Sequence, residues 1–110
     1  MSLAEQKCEA CRRDAPRVDN AEAEELLRDI PGWEIQRVDD IPQLQRTFKF
    51  DNFSQSLAFA NQVGEMADAE NHHPTLTVDW GKLKVVWWTH KIKGLHKNDF
   101  IMAAKVDALE

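Results

Sequence analysis

Residues 75–89 read Thr-Leu-Thr-Val-Asp-Trp-Gly-Lys-Leu-Lys-Val-Val-Trp-Trp-Thr, two extended arms around one glycine. In the first arm Leu76, Val78 and Trp80 share one parity while Thr75, Thr77 and Asp79 take the other, the period-two pattern of a half-buried strand. Gly81-Lys82 supplies a turn, and Leu83 to Thr89 is rich in β-branched and aromatic residues. In that second arm both parities are apolar: Val85 and Trp87 point one way, Val86 and Trp88 the other. Such a strand is expected to be covered on both faces, by helices on one and by a ligand or another subunit on the second.

Upstream of this hairpin the period changes. Phe53, Leu57, Ala60, Val63, Met66 and Ala67 recur at three- and four-residue spacing, which predicts a helix from Asn52 to about Glu70 with one apolar stripe. Before it, Trp33 to Gln36 alternates apolar with polar, Asp39-Asp40 marks a turn, and Leu44, Phe48 and Phe50 share a parity, so a first hairpin is predicted. A first helix starts at an Asp19 or Asn20 cap, runs through Leu26, Leu27 and Ile30, and stops at Pro31-Gly32. A last helix is predicted from about Lys97 to Leu109. The order α-β-β-α-β-β-α with short turns inside each strand pair predicts an α+β fold, a four-stranded antiparallel sheet with helices packed on one face.

At 110 residues the chain supports one domain, expected over residues 20–110 behind a flexible tail at 1–19. The tail holds a lone Cys8-Glu9-Ala10-Cys11 pair, expected to be reduced thiols, with a zinc staple through a distant histidine as the alternative. A net charge of -5 and the lack of a basic face weigh against nucleic acid as a partner. No apolar run approaches the ~18 residues that span a bilayer, and no secretory signal is visible, so no membrane partner and a cytoplasmic location are expected.

All 4 histidines, His72, His73, His90 and His96, fall between Asp68 and Asp99. A residue before proline is pushed out of the helical region, so the Phe53 helix should end near His72-His73-Pro74. The helix dipole favours a cationic ring there, and Asp68, one turn upstream, is placed to accept from one. The arms on either side of Gly81 are nearly equal in length, which brings Pro74 and His90 to the same end of the sheet and predicts convergence of His72, His73 and His90 at one mouth. Imidazole titrates near neutrality, so that convergence points to proton transfer. Trp80 and Trp88 are candidates for a flat wall against an aromatic ligand. Asp99, in the first turn of the last helix, is favoured there by the dipole whatever its function.

The run Asp68-x3-His72-His73-Pro74, with Trp80, His90 and Asp99 following at fixed spacing, resembles the signature of the pterin-4a-carbinolamine dehydratases. The Ile30-Pro31-Gly32-Trp33 turn, the Phe48-Lys49-Phe50 strand and Thr89-His90-Lys91 with Gly94-Leu95 are similar to that family too, from about Ala21 to the end. The resemblance implies dehydration of 4a-hydroxytetrahydropterin to quinonoid dihydropterin, recycling the pterin of aromatic amino acid hydroxylases such as phenylalanine hydroxylase. It implies no metal and no organic cofactor. His72 and His90 are the expected acids toward the hydroxyl, and His73 is expected to bind the pterin and take the N5 proton. Pro74, Trp80, Trp88, Thr89, Lys91 and Asp99 are the expected binding residues, with Asp68 in support. One departure stands out: the family usually places Ser or Thr after the Gly-Leu pair to cap the last helix, and this chain has His96. A homodimer or homotetramer is expected from the doubly apolar strand. Two other classes compete: a protein-binding module acting as a dimerisation cofactor or transcriptional coactivator, and a metal hydrolase using His72, His90 and a carboxylate.

Overall fold

The computed structural model describes residues 18–110 with the exception of the Lys91 side chain. The Cys8–Cys11 pair and the rest of the expected tail up to position 17 lie outside the described residues, as does the Lys91 side chain expected at the site. Val18, inside the stretch assigned to the tail, is tied down: its N–H donates to Leu95 O at 2.8 Å and its side chain packs on the core.

Helix α1 spans Asn20–Leu27, capped by the Asp19 carboxylate, which accepts from Glu22 N–H at 2.8 Å. Strands β1 (Glu34–Val38) and β2 (Ile41–Lys49) form the first hairpin, with Val38 opposite Ile41. Asp39 and Asp40 therefore make a two-residue turn, and their φ values of 53° and 64° are the left-handed pair that matches the strand twist. A short polar side chain tolerates that region where a branched one does not. Helix α2 spans Phe53–Glu70, with the Asn52 side chain accepting from Gln55 N–H at its start.

Strands β3 (Thr75–Asp79) and β4 (Lys82–Trp87) pair with Asp79 opposite Lys82. The turn is thus Trp80-Gly81, one residue earlier than the expected Gly81-Lys82. Gly81 has φ +73°, and a Cβ on it would sit 3.1 Å from Phe50 O, while its own carbonyl accepts from Phe50 N–H at 2.8 Å. Only glycine combines that backbone with so close an approach. β4 ends at Trp87, so the expected strand to Thr89 is shorter; Thr89 makes a single bridge to Gly94, and His90–Ile92 forms a 3-10 turn between them. Helix α3 spans Lys97–Leu109.

The sheet is wholly antiparallel in the order β1-β2-β4-β3. Register aligns Leu44 with Trp87, and Phe48 with Leu83 and then Val78. These side chains, with Val85, face α2 and α3, and with Val63, Phe100, Met102 and Val106 they make the core. The opposite face runs Gln45–Val86–Thr75 and Thr47–Lys84–Thr77. That corrects the expectation of a second apolar face needing a ligand or subunit. Val86 is already buried within the chain, its row neighbours are polar, and Trp88, beyond the strand end, packs on the core instead.

The C-terminus of α3 is fastened to the first hairpin by a polar clamp. Asp107 Oδ1 accepts from Trp33 Nε1–H at 2.9 Å and from Arg46 Nη1–H at 2.6 Å, and Arg46 also reaches Glu110 and lies 4.2 Å over the Phe48 ring. Removing the shared acceptor strands two donors that are largely shielded from water. Asp107→Ala is therefore expected to lower stability by about 1–3 kcal/mol, read as a lower urea midpoint at unchanged slope.

Candidate active site

The site begins with the way α2 stops. Asn71 takes the left-handed conformation at φ 55°, its N–H donates to Asp68 O at 3.3 Å, and His72 N–H donates to Ala67 O at 3.2 Å. This is the Schellman pair of bonds, which satisfies the last helical carbonyls and turns the chain sharply away from the axis. His72 and His73 are thereby fixed in direction immediately before Pro74 and β3.

His72 turns inward. It is 6% exposed, its ring stacks on the fully buried Trp87 at 5.5 Å, and its Nε2 lies 2.8 Å from Asp99 Oδ1. Asp99 is wholly buried, and its other oxygen accepts from Thr89 Oγ1–H at 2.8 Å and from His96 N–H at 2.9 Å. A carboxylate with no water around it needs such donors. With Asp99 accepting at Oδ1, Nε2 is the nitrogen of His72 that donates, and the contact fixes the orientation of the ring. The indole N–H of Trp87 is the one buried side-chain donor without an acceptor among the described residues.

His73 turns outward. Its ring is exposed and its Nε2 lies 2.9 Å from Asp68 Oδ1, in the last turn of α2. Asp68, His73 and Pro74 line one end of a groove of about 610 Å³ between α2 and the edge strand β3, walled further along by Ala60, Leu76 and Val78. A volume of that size lies within the range of small-molecule pockets. His90, the first residue of the 3-10 turn, is exposed and stacks on Trp88 with ring centroids 3.8 Å apart and planes 15° from parallel.

Three chain segments thus meet at the open end of the β3–β4 hairpin: the α2 stop, the Thr89–His90 step and the start of α3. His72, Thr89 and Asp99 share one buried network, Asp68, His73 and Pro74 stand on the groove, and Trp88 with His90 forms a stacked pair. Trp80 is not brought to them. It sits in the turn at the opposite end of the hairpin, 71% exposed, and a five-residue strand at about 3.3 Å per residue separates the two ends by roughly 16 Å. Its parity with Leu76 and Val78 made it read as a strand residue, whereas the turn claims it.

His96 resolves the departure noted in the sequence. Its Nδ1 accepts from Asn98 N–H at 3.0 Å, while Asp99 reaches back to the His96 N–H, so an imidazole does the capping that a hydroxyl does elsewhere. No signal in the sequence marks this, since histidine is not a favoured cap. Among the described residues no three His, Cys, Asp or Glu side chains are grouped to hold a metal ion, and no helix is long and apolar enough to cross a membrane.

The site and fold have relatives. Residues 16–109 match the family described as "Pterin 4 alpha carbinolamine dehydratase". The chain is 59% identical over 107 residues, covering 97% of it and 95% of the relative, to a Saccharophagus degradans protein named "Putative pterin-4-alpha-carbinolamine dehydratase". It is 54% identical over 109 residues to a Gloeobacter violaceus protein of the same description, numbered 1, covering 99% of this chain and 94% of the relative. Among solved structures, a transcriptional coactivator/pterin dehydratase from Brucella melitensis superposes with a TM-score of 0.76 at 33% identity, over 86% of this chain and 98% of that one. A pterin dehydratase-like RuBisCO assembly factor of the alpha-carboxysome shares the fold, with a TM-score of 0.60 at 23% identity over 71% of this chain and 88% of that one. The chain belongs to the pterin-4a-carbinolamine dehydratase family.

Asp99 holds three donors from three segments, so Asp99→Asn, which turns one acceptor into a donor and removes the charge, forces the His72 ring into its other tautomer or leaves a buried donor facing another. The variant is expected to lose about 1–3 kcal/mol of stability and to show faster hydrogen exchange at Thr89, His96 and the first turn of α3, measured by amide exchange with the intact protein as reference.

Proposed function

We propose that the chain dehydrates 4a-hydroxytetrahydropterin to quinonoid dihydropterin by general acid–base catalysis, returning the pterin to an aromatic amino acid hydroxylase such as phenylalanine hydroxylase. The observation that carries this reading is the pair of carboxylate-held imidazoles on adjacent residues, His72 on Asp99 and His73 on Asp68, facing the step that delivers His90. In the reaction the N5–H bond gives up its proton, the C4a=N5 double bond forms from those electrons, the C4a–O bond breaks, and the hydroxyl leaves with an added proton as water. Protons therefore enter at oxygen and leave at nitrogen, and no redox partner is needed.

His90 and His72 are assigned as the acids toward the 4a-hydroxyl and His73 as the base at N5. Asp68 orients the base, and Asp99 orients His72 through its Nε2, leaving Nδ1 to carry the proton that is delivered. Pro74, Thr89 and Lys91 line the bound pterin, with Trp88 beside them. Adjacent His72 and His73 point to separate carboxylates rather than to a common centre, which favours this chemistry over a metal hydrolase. Positioned acid–base groups supply about 10²–10⁴-fold, enough for a carbinolamine that also dehydrates unaided.

The test is the rate at which generated 4a-hydroxytetrahydropterin loses its ultraviolet absorbance. The intact protein is expected to accelerate it, and His72→Ala, His73→Ala and His90→Ala each to lower kcat by up to about 10²-fold. No acceleration over the spontaneous rate would sink the proposal and move the weight to a binding module. That second reading is favoured by the Brucella melitensis relative, which is described as a transcriptional coactivator as well as a pterin dehydratase.

A homodimer or homotetramer belongs to the same proposal. Among the described residues no strand pairs with the outer edge of β1 or β3, and Phe53, Leu57 and Trp80 stand exposed. Sedimentation velocity at micromolar concentration is expected to show more than a monomer, and a lone monomer boundary would remove this part.

A further inference from the structure

The three site histidines are not held alike. His72 and His73 each have a ring nitrogen on a carboxylate, whereas the His90 ring has no hydrogen-bond or ion-pair partner among the described residues; its contact is the Trp88 indole, stacked at 3.8 Å and 15°. His90 is exposed, and an exposed imidazole without a partner samples several rotamers. Its backbone is well fixed. Thr89 N–H donates to Gly94 O at 2.9 Å, the Thr89 hydroxyl is anchored on Asp99, and the His90 carbonyl accepts from Lys93 N–H at 3.3 Å. What remains to be fixed is the ring. Trp88 is suited to fix it, because the indole is itself half-buried against the hydrophobic core and cannot swing away with the imidazole.

We propose that Trp88 is a positioning residue for His90: the indole, braced on the core, holds the imidazole flat against it so that both ring nitrogens project from the edge of the stack toward the bound substrate. This rests on the dehydratase reading and deepens it. It also revises the expected part of Trp88 as a wall for the pterin, since the indole face that carries His90 is not available to stack a second ring. Stacking engages the faces of the two rings and leaves the imidazole nitrogens open for proton transfer. The consequence is a separation of kinetic effects. A residue that binds the pterin acts on KM, while a residue that only orders His90 acts on kcat.

The experiment compares the intact protein with Trp88→Leu, Trp88→Phe, His90→Ala and the Trp88→Leu/His90→Ala double variant. Trp88→Leu is expected to lower kcat about three- to tenfold with KM unchanged, the scale of re-ordering one side chain at each turnover. Trp88→Phe, which restores a flat ring, should recover most of the rate, and the double variant should fall no further than His90→Ala alone. A readout free of activity accompanies the kinetics. The His90 ring protons should resonate upfield of their usual position in the NMR spectrum of the intact protein and of Trp88→Phe, and return toward it in Trp88→Leu. Thermal unfolding of each variant identifies any that does not fold, and Trp88→Phe keeps the test decisive if Trp88→Leu fails. A raised KM at unchanged kcat in Trp88→Leu, an additive double variant, or His90 resonances indifferent to residue 88 would overturn the proposal. If the intact protein gives no acceleration while the ring shifts behave as expected, the dehydratase reading falls and the stack stands without that role.

Discussion

A buried carboxylate with three donors holds one end of this molecule together. Asp99 is at the third position of α3, has no exposure, and takes its hydrogen bonds from His72 after α2, Thr89 after β4 and the backbone of His96 before α3. An ionised oxygen pair out of water costs several kcal/mol unless its lone pairs are filled. The fold is therefore stable only when all three segments arrive together. Each donor comes from a chain turn that is itself locked: the Schellman stop at Asn71, the Thr89–Gly94 bridge and the cap at His96. The histidine-bearing end thus inherits its rigidity from backbone geometry, with the carboxylate as the point of registration.

Much of this fold could be read from periodicity. The strand pairs and the extents of α2 and α3 follow long, regular patterns, but the buried faces follow them less closely: Phe53 and Leu57 of the expected α2 stripe stand exposed while Ser56 and Phe59 are buried, and α3 is buried at consecutive residues from Asn98 to Ala104. Asp39-Asp40 is a turn because two short polar residues tolerate two left-handed conformations. Failures came where local pattern and tertiary demand diverge. Trp80 continues the parity of Leu76 and Val78, yet Gly81 has to meet Phe50 at its backbone, and that contact pulls the turn back by one residue. Trp88 continues the parity of Val86, yet β4 stops at Trp87 and the indole turns to the core. The Asp107 clamp joins residues 61 and 74 positions away, so no window of sequence could have shown it.

The site shows the same division. Asp68 and His73 were legible because the helix end that separates them is local, and their contact follows once the helix stops where Pro74 requires. Asp99 was ambiguous for a physical reason: an acid in the first turn of a helix is favoured by the dipole alone, and nothing in the sequence distinguishes that from a buried hub. His96 was invisible as a cap, because an imidazole caps only when its backbone and its acceptor nitrogen are both set by what surrounds them.

The three histidines also mark a gradient of constraint. His72 is buried and bound to a buried acid, His73 is exposed and bound to an exposed one, and His90 is exposed and held by a ring contact. An exposed ion pair holds a side chain weakly, because solvent competes for both partners. A stack on a braced indole holds a plane without occupying a nitrogen. On the proposed reading His90 has both to keep its place and to hand over a proton, and for that the second restraint is the better suited, since whatever fixes the ring through its nitrogen also competes with the substrate for it. The arrangement leaves the best-held ring deepest and the most accessible ring exposed at the mouth, the order that the proposed proton delivery to a bound hydroxyl would call for.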